Sequence, residues 1–226
     1  MANCSMAMQT SISANVNKAA VTTPIQALTC PSDPHSGDPI FTDRSCANPV
    51  YNPKVAMGLW YTGSMGPTHN DGCVFCPLPK TSSGGPNSYC CQSWSYGYKS
   101  PADNSVGMFG RYPVGRKFDD VTDGLAHSIA VGETLPDQCI YISAYANNFP
   151  ISGTTIPINT FEVEHQVHQN YHRACGFKSL HPGGAHFLMG DGSVHFFEEF
   201  IDYRLFNELG TIAGGETARL VDSETQ

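Results

Sequence analysis

Every second residue from Cys4 is apolar or nearly so: Cys4, Met6, Met8, Thr10, Ile12, Ala14 and Val16. The residues between them, Ser5, Ala7, Gln9, Ser11, Ser13, Asn15 and Asn17, are small and mostly polar. Period-two alternation is the signature of a half-buried strand. Sustained over about thirteen residues at roughly 3.3 Å each, this one would reach about 43 Å, more than twice an ordinary strand. A strand of that length either opens the chain's own sheet or serves as a donor that completes a neighbour's, with backbone hydrogen bonds giving affinity and alternate side chains giving register. In the second case Met6, Met8, Ile12, Ala14 and Val16 are the assembly residues.

Residues 18–29 continue in a β-prone vein through Val21, Ile25 and Leu28, so residues 1–29 read as an extended strand and linker. From Cys30 to about residue 115 the chain is rich in Gly, Pro, Asn, Ser and Tyr, with short apolar runs such as Met57-Gly58-Leu59-Trp60-Tyr61. No helical period survives there, which predicts short strands and long loops. The second half is more regular. Strands are expected over Ser128–Val131 and Ile140–Ala144. Ala185–Met189 and Val194–Phe197 flank Gly190-Asp191-Gly192-Ser193, and an Asp-Gly pair between two apolar runs signals a hairpin. With Asp191 and Gly192 as a two-residue loop, Met189 would face Val194 and Phe187 would face Phe196, these four sharing the buried face. His186, Leu188, His195 and Phe197 would then lie on the other, where His186 and His195 could approach diagonally. Asp202 is placed to cap a short helix whose Leu205, Phe206 and Leu209 face inward, with Gly210 as its stop. The fold class that follows is mainly β with some helix (α+β), antiparallel, with residues 30–226 as one globular domain.

Composition narrows the setting. Only 14% of the 226 residues are charged, and 12 Lys+Arg against 20 Asp+Glu leave a net charge of −8. No basic cluster offsets that charge, so nucleic acid is excluded as a partner. No apolar window is long enough to span a membrane. A neutral-polar surface of this kind suits a secreted or cell-surface protein, although no signal peptide is legible.

The nine cysteines are Cys4, Cys30, Cys46, Cys73, Cys76, Cys90, Cys91, Cys139 and Cys175. Cys73 and Cys76 have zinc-ligand spacing, but a second such pair is missing because Cys90 and Cys91 are adjacent. Disulfides in an oxidising compartment are the better reading: four bridges among Cys30, Cys46, Cys73, Cys76, Cys90, Cys91, Cys139 and Cys175, with Cys4 left over. Their connectivity is not readable from spacing. Bridges would also explain how loops this long are tolerated.

Three segments carry a resemblance. Ser179-Leu180-His181-Pro182-Gly183-Gly184-Ala185 is followed by Asp191-Gly192-Ser193-Val194, with nine residues between His181 and Asp191, and then by Gly214-Gly215-Glu216. Cys30-Pro31-Ser32-Asp33-Pro34 precedes them, as does Asp120-Val121-Thr122-Asp123-Gly124 running on to Val131-Gly132-Glu133. Together they resemble the bacterial domain-of-unknown-function family of prepilin- or pseudopilin-like proteins named for a C-terminal His, nine residues, Asp-Gly motif. The resemblance implies a pilus-like assembly. Members open with a long apolar helix that anchors the precursor and packs in the pilus core. No such pilin-type helix is present here, so the alternating N-terminal strand is the candidate for joining subunits. The motif residues Cys30, Pro31, Asp33, Asp123, Gly124, His181, Gly183, Gly184, Asp191, Gly192, Gly214 and Gly215 are expected in structural roles. Asp191 would make the turn, Gly192 would take positive φ, and His181 would bond the loop backbone.

Candidate chemistry is sparse. Glu164-His165, His168 and His172, with Glu162 nearby, would align on one face of a helix, yet the spacing is not that of a His-Glu-x-x-His metalloprotease. No Gly-x-Ser-x-Gly elbow, Walker loop or EF-hand loop is found. The expectation is therefore no enzyme, no cofactor and no resident metal. The chain reads as an extracellular fibre subunit whose partners are copies of itself, with glycans on Ser/Thr-rich loops and one Asn sequon at Asn3-Cys4-Ser5. The alternative is a monomeric secreted protein binding metal through His165, His168 and His172, or carbohydrate through Trp60, Trp94, Tyr96 and Tyr98.

Overall fold

Three residues, Gly190, Asp191 and Gly192, set the geometry of the C-terminal hairpin. In a computed structural model describing residues 18–44, 55–68, 72–77, 88–93, 105–110, 115–145, 150–162 and 170–215, these three form its loop. The Met189 N–H donates to the Ser193 carbonyl at 2.8 Å, and Gly192 adopts φ of +90°. A three-residue loop with a left-handed glycine at its third position is a standard hairpin closure. The Asp191 carboxylate accepts from both the N–H and the hydroxyl of Ser193, at 2.9 and 2.7 Å. Those bonds, the hydroxyl first, hold its carboxyl below the usual carboxylate range.

Loop length decides register, and here it corrects the sequence reading. The strands pair Ala185 with Phe197, His186 with Phe196, Phe187 with His195 and Leu188 with Val194, one residue away from the two-residue-loop register. A slip of one residue sends every side chain of a strand to the other face. Phe197 is therefore buried beside Phe187, whereas Phe196 and Val194 stand on the outer face with Leu188. His186 and His195 point to opposite faces and do not meet.

The main sheet has five strands in the order β5-β3-β4-β6-β7. These are β3 (Tyr61–Ser64), β4 (Ile129–Glu133), β5 (Ile151–Ser152), β6 (Gly184–Met189) and β7 (Val194–Glu198). All neighbours are antiparallel except β3 and β5, which are parallel. A two-stranded sheet pairs β1 (Ile40–Phe41) with β2 (Ala56–Met57). The inner face of the main sheet packs on Phe177, Ile158 and the apolar side of α3 (Tyr203–Glu208); a shorter helical turn, α2 (Tyr171–Ala174), precedes β6. Asp202 caps α3 by accepting from Leu205 N–H at 2.8 Å, and Phe206 and Leu209 are buried as the pattern predicts. Gly132 on β4 makes the aromatic core possible. A Cβ there would stand 2.5 Å from the Phe177 ring and 2.7 Å from Phe187.

The architecture is mainly β with short helices and disulfide-stapled loops, as expected. Two local expectations fail. Residues 18–29 are not extended: Lys18–Val21 form a helical turn, α1, and Gln26–Leu28 a 3₁₀ turn. The hydroxyls of Thr22 and Thr23 bond back to the Lys18 and Ala19 carbonyls, and such local bonds compete with strand formation. Ile140–Ala144 is turn rather than strand: Ile142 N–H closes a turn on the Cys139 carbonyl at 3.2 Å, its own carbonyl accepts from Arg44 at 3.1 Å, and Ala144 N–H bonds the Met57 carbonyl at 3.1 Å. The alternating segment 4–17 lies outside the described residues, as does Cys46. Among the described residues no helix is long and apolar enough to cross a membrane.

Lys178 is fully buried at the start of the loop leading to β6, and its ammonium donates to the carbonyls of Thr160 and Ala174 at 2.7 and 2.8 Å. Burial pulls its pKa down to about 7, against the opposing pull of Glu162. The unfolded chain keeps this lysine protonated to about pH 10.4. Between those values the unfolded state binds the extra proton, so folding stability rises with pH. Urea titrations from pH 7 to 9 should show that rise, and Lys178→Met should flatten it; an unchanged slope in the variant would assign the pH dependence elsewhere.

Candidate functional site

The three motif segments, far apart in sequence, meet at one end of the sheet. Tyr61, Glu133, His186 and Phe196 form a row across β3, β4, β6 and β7 on the outer face. Each is placed by a separate local device.

Cys30 is carried in by the Cys-Pro-Ser-Asp turn, in which the Asp33 N–H bonds the Cys30 carbonyl and Pro31 takes the turn position. The buried Asp33 carboxylate then accepts the Trp60 indole N–H at 2.8 Å and the His35 N–H at 2.9 Å. From the other side, Trp60 N–H bonds the Leu28 carbonyl. The turn is thus clamped on a fully buried tryptophan, which removes Trp60 from the exposed aromatics expected to bind carbohydrate.

Glu133 ends β4 directly beside Tyr61. Its backbone carbonyl accepts from Lys178 N–H at 2.9 Å, which brings in the third segment. There Asn159, in the left-handed region at φ of +57°, accepts from Ser179 N–H at 2.9 Å. The Ser179 hydroxyl donates to Gly184 carbonyl at 2.7 Å and accepts from His181 N–H at 3.0 Å. Gly183 takes φ of +81° and Gly184 opens β6. This closed loop aims the His181 ring at Glu133 rather than at the loop backbone.

The resulting cluster is tight. His181 Nε2 is 3.3 Å from Glu133 Oε1 and 4.0 Å from Cys30 Sγ, and Cys30 Sγ is 3.8 Å from the same Oε1. The other oxygen, Oε2, accepts His186 N–H at 2.7 Å and lies 3.2 Å from His186 Nδ1. Cys30 and Glu133 are buried, whereas the His181 and His186 side chains are 27% and 44% exposed. Tyr61 borders the thiol; burial first, then the charges of Cys30 and Glu133, push its pKa up to about 12. The two imidazoles meet edge-on at 4.8 Å, and His186 packs against Phe196 at 5.0 Å. Beyond Phe196 the outer face continues as Leu188 and Val194, the latter 63% exposed.

β7 is the outermost strand of the sheet. Among the described residues, no backbone hydrogen bond reaches Val194 or Phe196 from any segment other than β6. The site therefore runs from a buried donor cluster to an apolar, open-edged strip.

The remaining motif residues form a separate latch. Asp123 accepts from the N–H groups of Gly214 and Gly215 at 2.7 and 3.0 Å, and Gly124 and Gly215 take positive φ. Cys73 bridges to Cys91, Cys76 to Cys90 and Cys139 to Cys175. Cys73 and Cys76 are therefore no zinc pair. Cys30, expected in a bridge, is a free thiol, because its turn directs the sulfur toward Glu133 and His181, away from these three bridges. Of the histidine row, His165 and His168 lie outside the described residues, as do Trp94, Tyr96 and Tyr98. His172 packs against Gly72, and Glu162 pairs with Arg173 at 2.7 Å.

Sequence reasoning set His186 beside His195 rather than beside Glu133, and it did not single out Glu133 or Tyr61 as site residues. Glu133 had a signal, as the end of a matched segment; the place of the other two depends on which strands lie side by side. The model of a family described as protein of unknown function (DUF1559) matches residues 3–204. No curated protein and no solved structure matches the chain.

Proposed function

Because the chain belongs to the DUF1559 family, whose description assigns no activity, we propose from its geometry that it is a structural subunit of an extracellular or cell-surface fibre. The observation that carries this reading is that, among the described residues, no strand pairs with the outer edge of β7, where Val194 and Phe196 are exposed beside Leu188. Natural sheets usually blunt or cover such edges, because they template pairing with another chain.

The occupant is residues 4–17 of a second copy. That segment has an apolar residue at nearly every second position and contains no Asp, Glu, Lys or Arg, so it can lie along β7 without like-charge repulsion. Added as a sixth strand, it would place Met6, Met8, Ile12 and Val16 over the apolar strip. The contact joins unlike surfaces of two copies, so it propagates as an open filament unless rotation closes a ring. Three disulfides formed in the fold suit an oxidising compartment outside the cytosol.

Negative-stain electron microscopy and light scattering test the reading. The full chain should form filaments, while a variant lacking residues 1–17 and the Val194→Lys variant should each be monodisperse, with unchanged circular dichroism. Filaments that persist in both variants, or a full chain that stays monomeric, would overturn strand donation.

A further inference from the structure

We propose that Cys30, Glu133 and His181 form a three-ligand site for a divalent transition metal of the zinc class, with one coordination position open to solvent. The inference is independent of fibre assembly, and it departs from the expectation of a chain without a metal site. Its first support is donor geometry. A tetrahedral zinc with bonds of about 2.3 Å to sulfur and about 2.0–2.2 Å to nitrogen or oxygen holds its donors about 3.3–3.6 Å apart. The triangle of Oε1, Nε2 and Sγ here has edges of 3.3, 3.8 and 4.0 Å. An inward shift of a few tenths of an ångström at the sulfur closes it around a metal.

The second support is that one imidazole nitrogen faces both other groups. In a catalytic relay the carboxylate holds one ring nitrogen while the nucleophile meets the opposite one. His181 instead turns Nε2 toward Glu133 and Cys30 together, which is convergence on a point, as ligands require. The third is the arrangement around the carboxylate. Oε2 of Glu133 is held by the backbone N–H of His186 and lies against its ring, leaving Oε1 free to aim inward. Ligating carboxylates are themselves held in this way in metal sites.

The donor set selects the ion. One thiolate, one imidazole and one carboxylate suit zinc and its neighbours, whereas calcium and magnesium require six or more oxygens. Binding replaces the Cys30 S–H bond by a metal–sulfur bond and releases one proton. The partial exposure of His181 and His186 gives the ion its path and leaves the fourth position to water.

Co²⁺ is the probe, because a thiolate ligand gives it a near-ultraviolet charge-transfer band and four-coordination gives strong visible bands. The full chain should be prepared anaerobically without added thiol, so that its disulfides stay closed and Cys30 stays reduced. Titration should produce the band at one equivalent, with one proton released, and Zn²⁺ should abolish it. Cys30→Ser should remove the band, His181→Ala should weaken binding at least tenfold, and His186→Ala should weaken it by about 10–100-fold. The doubly substituted Cys4→Ser/Cys46→Ser chain should keep the band. Near-ultraviolet circular dichroism checks folding, and if Cys30→Ser fails to fold, the partly exposed His181→Ala decides. Absence of the band in the full chain, its survival in Cys30→Ser, or unchanged affinity in His181→Ala would each overturn the site.

Discussion

Phe187→Ala should destabilise the protein by roughly 3–5 kcal/mol, a fall in Tm of about 10 °C or more for a chain of this size. The ring is fully buried at the centre of the aromatic core. It meets Phe177 edge-on at 5.1 Å and Phe206 at 5.7 Å, and stacks on Phe197 at 5.1 Å. Removing it loses the transfer free energy of the ring and leaves a cavity walled by three other aromatics, which cannot all collapse inward. The same experiment tests strand register. In the observed pairing Phe197→Ala should cost nearly as much, whereas Phe196→Ala, on the outer face, should cost less than about 1 kcal/mol. In the register set by a two-residue loop the costs of Phe196 and Phe197 would be exchanged. Urea denaturation of the three variants distinguishes the two.

Arg44→Met should cost roughly 2–4 kcal/mol, the loss of buried hydrogen bonds from a charged donor. The Arg44 side chain is fully buried, and one guanidinium nitrogen donates to the carbonyls of Pro136, Cys139 and Ile142 at 2.7, 3.1 and 3.1 Å. Two others hold Asp43, and the guanidinium plane lies over the Phe41 ring at 4.3 Å. These bonds gather the irregular segment 136–142, which has no strand partner to satisfy its carbonyls. Methionine fills much of the volume but leaves the buried Ile142 carbonyl unpaired, at about 1–3 kcal/mol, and strips one of two bonds from the Pro136 and Cys139 carbonyls, which keep those from Cys139 N–H and Ile142 N–H at 3.3 and 3.2 Å. Arg44→Lys should recover only part of the loss, because a single ammonium cannot serve Asp43 and three carbonyls together. Equal stability of Arg44→Met and the parent would show that water replaces the guanidinium.

Much of the β6–β7 hairpin was legible in the sequence, since two apolar runs around Asp191-Gly192 admit little else. Its register was not. The choice between two and three loop residues turns on whether Gly190 pairs with Ser193, and both choices satisfy the same local pattern. The α3 helix was fully legible, because the Asp202 cap, the inward residues and the stop are all local. Residues 18–29 show the opposite: β-prone composition yielded to threonine side chains that bond their own backbone.

The candidate site divides along the same line. Cys30 and His181 were visible as members of motifs, and Glu133 as the end of another. Their chemistry was not, because a cysteine in a chain with nine of them reads first as half of a disulfide. Sequence by itself determined the class of fold, the hairpin and capped helix, the disulfide-stapled loops and the uncharged alternating segment at the start. Each rests on local periodicity, turn chemistry or composition. Only the tertiary structure decided which cysteines pair, which face of β7 meets solvent, and that a thiol, a carboxylate and an imidazole from three distant segments share one point. Those outcomes depend on which strands lie side by side and on clamps such as Asp33 on Trp60, and both are contacts between residues far apart in the chain.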